Sequence, residues 1–172
     1  MRPVAILLPL LLAAAPIGLR AQASHLGVSP REMLALDLNQ RVNTWGGQVF
    51  EEVGTYQFGR WTWDPAAKNW EVPKGRVFIL TDAQAFVSHE ASGGAPAYLE
   101  LIMETPSAGY VGTAAIFSFD HVPASQRSVQ RQTWTSGLAL PAGTTLRLWT
   151  QSLWPGGLLQ HARILVHGYF AP

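Results

Sequence analysis

Seven tryptophans and no cysteine frame the chemistry open to this 172-residue chain. Trp61 and Trp63, in Arg60-Trp-Thr-Trp-Asp64, stand two positions apart. On an extended strand that spacing puts both indoles on one face. A row of flat, apolar rings can stack on sugar rings through the attraction that drives other aromatic contacts. The same spacing also suits two core residues, and the sequence leaves both readings open. Trp45 and Trp70 lie nearby in the chain.

A second set lies near the C-terminal end of the sequence. His161, Arg163 and His167 share one strand parity, and Arg147 and Trp149 are expected on a neighbouring strand. Trp61, Trp63, Trp149, Arg147 and His167 are therefore the candidate ligand-binding residues. Two histidines six residues apart on a strand are separated by about 20 Å, too far to hold one metal together. No His-x-His or His-Glu-x-x-His spacing is present, so neither a metal nor another cofactor is expected.

Catalytic spellings are scarce. No Gly-x-Ser-x-Gly elbow occurs, and a cysteine nucleophile is excluded. Asp120-His121 and His89-Glu90 are adjacent in the chain, but strand neighbours point to opposite faces, so adjacency makes no dyad. Glu100, Glu104 and Asp120 can share a sheet face. A glycosidase would need two of them roughly 5–10 Å apart. No catalytic residue is assigned.

These side chains need strands to position them. From Thr44 onward, short aromatic and branched runs alternate with Gly, Pro, Asn and Asp. Eight candidate strands follow: Gln48–Val53, Tyr56–Trp63, Arg76–Val87, Ala97–Glu104, Ala114–Val122, Gln130–Leu138, Thr145–Gln151 and Ala162–Phe170. Such spacing predicts an all-β fold, an antiparallel β-sandwich of jelly-roll type. Parity sends Ala162, Ile164, Val166, Gly168 and Phe170 to the core, with Leu146, Leu148, Phe117, Phe119, Leu99, Leu101 and Met103. Val77, Phe78, Ile79 and Leu80 make one strand apolar on both faces, as in a central, doubly covered strand.

Val72-Pro-Lys-Gly75 and Leu140-Pro-Ala-Gly143 spell one turn twice, each ahead of a strand. With Pro at the second position and Gly at the fourth, both fit a type I turn. They are expected as equivalent corners in two halves of the fold. Ser29-Pro30-Arg31-Glu32 has the form of a capped helix start, and Met33, Leu34 and Leu38 would line one stripe of a short helix. Leu34, Leu36 and Leu38 also alternate as a strand would; the helix is preferred.

Residues 1–23 read as a cleaved signal peptide: a basic start, an apolar run from Val4 to Leu19, then Ala21-Gln22-Ala23. Residues 24–43 are expected as an N-terminal segment with the short helix, and 44–172 as the sandwich domain. Arg2 and Arg20 leave with the signal, so 10 of the 12 basic residues remain against 11 acidic ones. The resulting charge of −1 recommends neither nucleic acid nor an anionic membrane as partner. No second long apolar run follows, so no membrane insertion of the mature chain is expected. Without cysteine, an exported chain relies on its core alone, which suits a secreted or periplasmic bacterial protein. Leu153–Leu159 reads as a hairpin loop whose Trp154, Leu158 and Leu159 need a cover, and these are the candidate interface residues of a homo-oligomer.

The last third, Leu140-x-x-Gly143-x-x-Leu146-x-Leu148 followed by Ile164-Leu-Val-His-Gly168-Tyr-Phe170, resembles the closing hairpin of C1q/TNF-like jelly rolls. His167-Gly168-Tyr169 lacks the first aromatic of that family's aromatic-Gly-aromatic spelling. The resemblance implies assembly through a sandwich face and transfers no functional residue. Abundant aromatics without catalytic spelling predict a non-enzymatic binding or surface-associated module that meets a glycan or another extracellular polymer. A structural assembly protein and a polysaccharide hydrolase or lyase are the alternatives.

Overall fold

The computed structural model describes residues 29, 31–42, 49–89, 95–105, 109–122, 127–152 and 159–171. The expected signal peptide, Trp45, Glu90, Trp154 and Leu158 lie outside the described residues, as do the side chains of His89, His121 and Leu159. The strands are β1 (Met33–Val42), β2 (Val49–Gln57), β3 (Arg60–Asp64), β4 (Trp70–Glu71), β5 (Phe78–His89), β6 (Ala95–Thr105), β7 (Gly109–Val122), β8 (Arg127–Leu140), β9 (Thr145–Ser152) and β10 (Leu159–Phe170). They form two antiparallel sheets, ordered β3-β2-β1-β10-β5-β8 and β4-β9-β6-β7. One apolar core lies between them, and it draws residues from both sheets.

Alternation builds that core. Leu36, Leu38, Leu80, Leu99, Leu101, Leu146 and Ile164 are fully enclosed there. Each stabilises the fold by roughly 1.5–3 kcal/mol relative to exposure. With no cysteine in the chain, this burial is the main force closing the sheets.

The short helix is not what forms after Ser29. The Ser29 hydroxyl accepts from the Arg31 amide, and the Glu32 amide donates to the Ser29 carbonyl, so the capping spelling makes a turn. The chain then enters β1, whose alternation satisfies both faces. Leu34, Leu36 and Leu38 reach the core, while Asp37 and Asn39 find partners on the outer face. The six-stranded sheet thus takes in residues from Met33 onward.

The expected strand Tyr56–Trp63 divides into the end of β2 and β3 around Phe58 and Gly59, at φ +55° and +84°. A phenylalanine does not advertise that turn. β5 is paired on both sides, and its outer face is apolar at Ile79 and again at Phe86, with Asp82 and Gln84 between them. A bulge after Leu80 shifts its parity, so Ala83, Ala85 and Val87 continue the core, while Val77 remains exposed.

The doubled turn is real, with its frame displaced by one residue. Arg76 N donates to Pro73 O, and Thr144 N donates to Pro141 O. Proline is therefore the first residue of each turn, and Gly75 and Gly143, at φ +72° and +78°, are the third. Positive φ at the third position is the type II requirement for glycine. Both corners carry the chain between sheets: β4 to β5 and β8 to β9. They abut, because Val72 N donates to Thr144 O and Gly143 N to Val72 O, each 2.9 Å. The residue before each proline, Val72 or Leu140, is buried.

Strands β9 and β10 lie in different sheets. They therefore do not pair with one another, and Arg147 and Trp149 are not on a strand beside His167; residues 153–158, expected as a hairpin loop, lie outside the described residues.

Candidate functional site

The outer face of the six-stranded sheet is where the sequence and fold converge. Paired residues in a sheet share a face. Trp61 stands opposite Tyr56, which stands opposite Ala35; Trp63 stands opposite Gly54, which stands opposite Asp37. Trp61 and Trp63 therefore project outward, on the edge strand β3, away from the core.

Both indoles remain accessible, Trp61 at 37% and Trp63 at 45% of full exposure. Their ring centroids are 5.5 Å apart with planes inclined by 21°, an offset stack. Tyr56 tilts against Trp61 at 5.4 Å. Gly54 makes room below: a Cβ there would stand 2.7 Å from the Trp63 ring. The indole thus lies over bare backbone. Behind these rings, Met33 and Ala35 pack with Tyr56 and Tyr169 into a small apolar cluster.

The centre of the same face is polar and closed. Arg163 Nε donates to Asp37 Oδ1 at 2.6 Å, and its second nitrogen holds the other carboxylate oxygen. The Arg163 guanidinium also lies 5.6 Å from the Phe86 ring centre. Asn39 donates to Glu52 at 2.6 Å, and His161 Nε2–H donates to Asn39 Oδ1 at 2.7 Å. His167 Nδ1–H donates to Asp82 at 2.9 Å, and Arg131 approaches the same oxygen at 3.2 Å. Asp37, Asn39 and Asp82 are buried. Burying a carboxylate costs several kcal/mol unless it is paired, so these partners keep the face intact. His167 belongs to this network.

The other two expected ligand residues lie across the molecule. Arg147 and Trp149 alternate with the core residues Leu146 and Leu148, so they project from the outer face of the four-stranded sheet. Arg147 pairs with Glu104 at 2.9 Å, and Trp149 meets Tyr98 edge-to-face at 6.3 Å. The five residues thus form two groups: Trp61, Trp63 and His167 on one face, Trp149 and Arg147 on the opposite one. Glu100 and Glu104 are four positions apart on β6, about 13 Å of backbone. Glu100 accepts from Thr113 and Glu104 is held by Arg147. Among the described residues, no group of three or more His, Asp or Glu side chains is placed to hold a metal.

Sequence reasoning missed Tyr56, Gly54 and the buried acids Asp37 and Asp82. Asp37 was legible in principle, since Leu-Ala-Leu-Asp-Leu-Asn read as a strand places Asp37 and Asn39 together opposite the leucines. Compared with known proteins, the chain matches no family model and no curated protein.

Proposed function

We propose that this protein is an exported, non-enzymatic binding module of jelly-roll type that meets a glycan or similar extracellular polymer through Trp61 and Trp63. The observation that carries this reading is the stacked, solvent-accessible indole pair on edge strand β3, seated over Gly54 and braced by Tyr56. Soluble proteins normally bury such area, and an exposed aromatic cluster marks a place where something docks. The order β1-β10-β5-β8 over β4-β9-β6-β7, with two abutting corners, supports the jelly-roll assignment.

Titration with a panel of soluble polysaccharides, read by tryptophan fluorescence, tests the proposal. At least one polymer shifts the spectrum of the wild-type protein and binds Trp61→Ala about tenfold more weakly. A silent panel, or unchanged affinity in that variant, removes the reading.

A second reading, assembly through the opposite face, draws on Ile116 and Trp149. Both stand opposite Glu100 and both are exposed. Sedimentation at high concentration separates the two: a strict monomer excludes self-assembly.

A further inference from the structure

One end of the sandwich holds a cleft of about 650 Å³, lined by Arg31, Glu32, Gln57, Phe58, Arg76 and Phe170, with Pro73 at its wall. That volume is in the range of ligand sites. Its floor is fixed: the Arg76 guanidinium lies 4.6 Å from the Phe170 ring centre and pairs with Glu32. The Gln57 amide donates to the Arg31 carbonyl.

Two elements of the rim have no such structural role. Arg31 makes no side-chain ion pair among the described residues, and neither does Arg60. Arg60 is exposed and pairs with Gln57 across the hairpin, so it shares the face that Gln57 turns to the cleft. With Glu32 neutralised by Arg76, the rim is left cationic. Phe58 is the second element. It is 72% exposed and sits at φ +55°, followed by Gly59 at +84°. A two-residue hairpin loop with both φ positive favours Asn-Gly, and a phenylalanine there is strained and puts its ring into water. Such strain gathers at functional sites.

We infer that the cleft binds the acidic sugar units of a polyanionic polysaccharide of the uronate type, with Phe58 against the sugar ring and Arg31, helped by Arg60, on the carboxylate. The guanidinium fork matches a carboxylate in two parallel hydrogen bonds. Phe58 stands at the tip of the β2–β3 hairpin, between the cleft face of Gln57 and Arg60 and the opposite face that carries Trp61 and Trp63. A chain polymer seated in the cleft therefore reaches the indoles by passing round the edge strand, where a single sugar cannot. This inference rests on the Trp61–Trp63 platform and adds the class of its ligand.

Calorimetric titration of the wild-type protein with polygalacturonate, dextran sulfate and neutral dextran tests it, alongside Arg31→Gln, Phe58→Asn and Trp61→Ala. Polygalacturonate binds tightest. Arg31→Gln weakens it about tenfold and leaves dextran within about twofold. Phe58→Asn also weakens polygalacturonate yet melts at a higher temperature than wild type, since asparagine accepts the left-handed backbone. Trp61→Ala weakens every polymer. Polygalacturonate affinity unchanged in both Arg31→Gln and Phe58→Asn, but lost in Trp61→Ala, overturns the cleft assignment and keeps the platform. Tighter binding of dextran sulfate or dextran overturns the uronate class. No binding of any polymer overturns both readings.

Discussion

Arg163 grips Asp37 across the β1–β10 pair, with Nε on one carboxylate oxygen at 2.6 Å and its terminal nitrogen on the other. The carboxylate is fully buried on what would otherwise be the solvent side of a sheet. Removing one partner strands a charge there. Arg163→Met should lower stability by about 3 kcal/mol, the lower part of the range for broken buried pairs because Arg163 itself is partly exposed. Asp37→Leu/Arg163→Met removes both charges and should recover a good part of that loss, read as urea midpoints. Equal midpoints for the single and the double variant would show that the pair is uncoupled.

Gly168 and Gly112 separate steric need from strand weakness. A Cβ at Gly168 would stand 2.3 Å from the Ile79 carbonyl and 2.4 Å from the Phe78 ring, where β10 and β5 shift register. A backbone atom cannot step aside as a side-chain end can. Gly168→Ala should therefore cost about 2–3 kcal/mol or more. At Gly112 a Cβ meets nothing within 4 Å, and Gly112→Ala should be neutral or slightly stabilising, by about 0.5 kcal/mol. Thermal melts of the two variants should fall on opposite sides of, or one at and one well below, the wild-type value.

The abutting corners make a prediction about coupling. Gly75 and Gly143 each hold positive φ in a type II turn, and Val72 bonds to both Gly143 and Thr144. Alanine at either glycine should cost about 1 kcal/mol. Because the corners share Val72, the double variant should depart from additivity by about 0.5 kcal/mol or more. A double-mutant cycle on denaturation midpoints measures it, and strict additivity would mean that the two turns act independently.

Much of this architecture was legible because period-two alternation is a strong signal wherever a strand has one dry face. The inward sets of β6, β7, β9 and β10 follow parity: Leu99 and Leu101, Phe117 and Phe119, Leu146 and Leu148, Ile164 and Val166 are all in the core. Parity failed where backbone irregularity intervened. The bulge after Leu80 leaves no mark in residue type. The Phe58-Gly59 turn lacks the asparagine that would announce it. β1 misled for another reason: a local turn spelling at Ser29–Glu32 competed with an alternation whose second face, Asp37 and Asn39, has meaning only beside Arg163, His161 and Glu52. Which strands neighbour one another is a non-local property, and for that reason Trp149 and His167 were expected together but occupy opposite sheets.

Gly54 offers a probe of the indole pair that leaves both indoles in place. Its backbone is not in the left-handed region, so alanine is conformationally permitted. The obstacle is the Trp63 ring, whose nearest atoms would lie 2.7–3.0 Å from the added Cβ. That ring is the outer end of a side chain on an edge strand, so it moves at small cost, and Gly54→Ala should change stability by less than about 1 kcal/mol. The movement should break the offset stack with Trp61, red-shift the tryptophan emission, and weaken polymer binding about three- to tenfold, the worth of one aromatic contact. A variant with wild-type stability, shifted emission and reduced affinity places the binding surface at the stacked pair. Wild-type affinity despite a shifted spectrum would place it elsewhere, since the Trp63 ring is what stands nearest to the added Cβ.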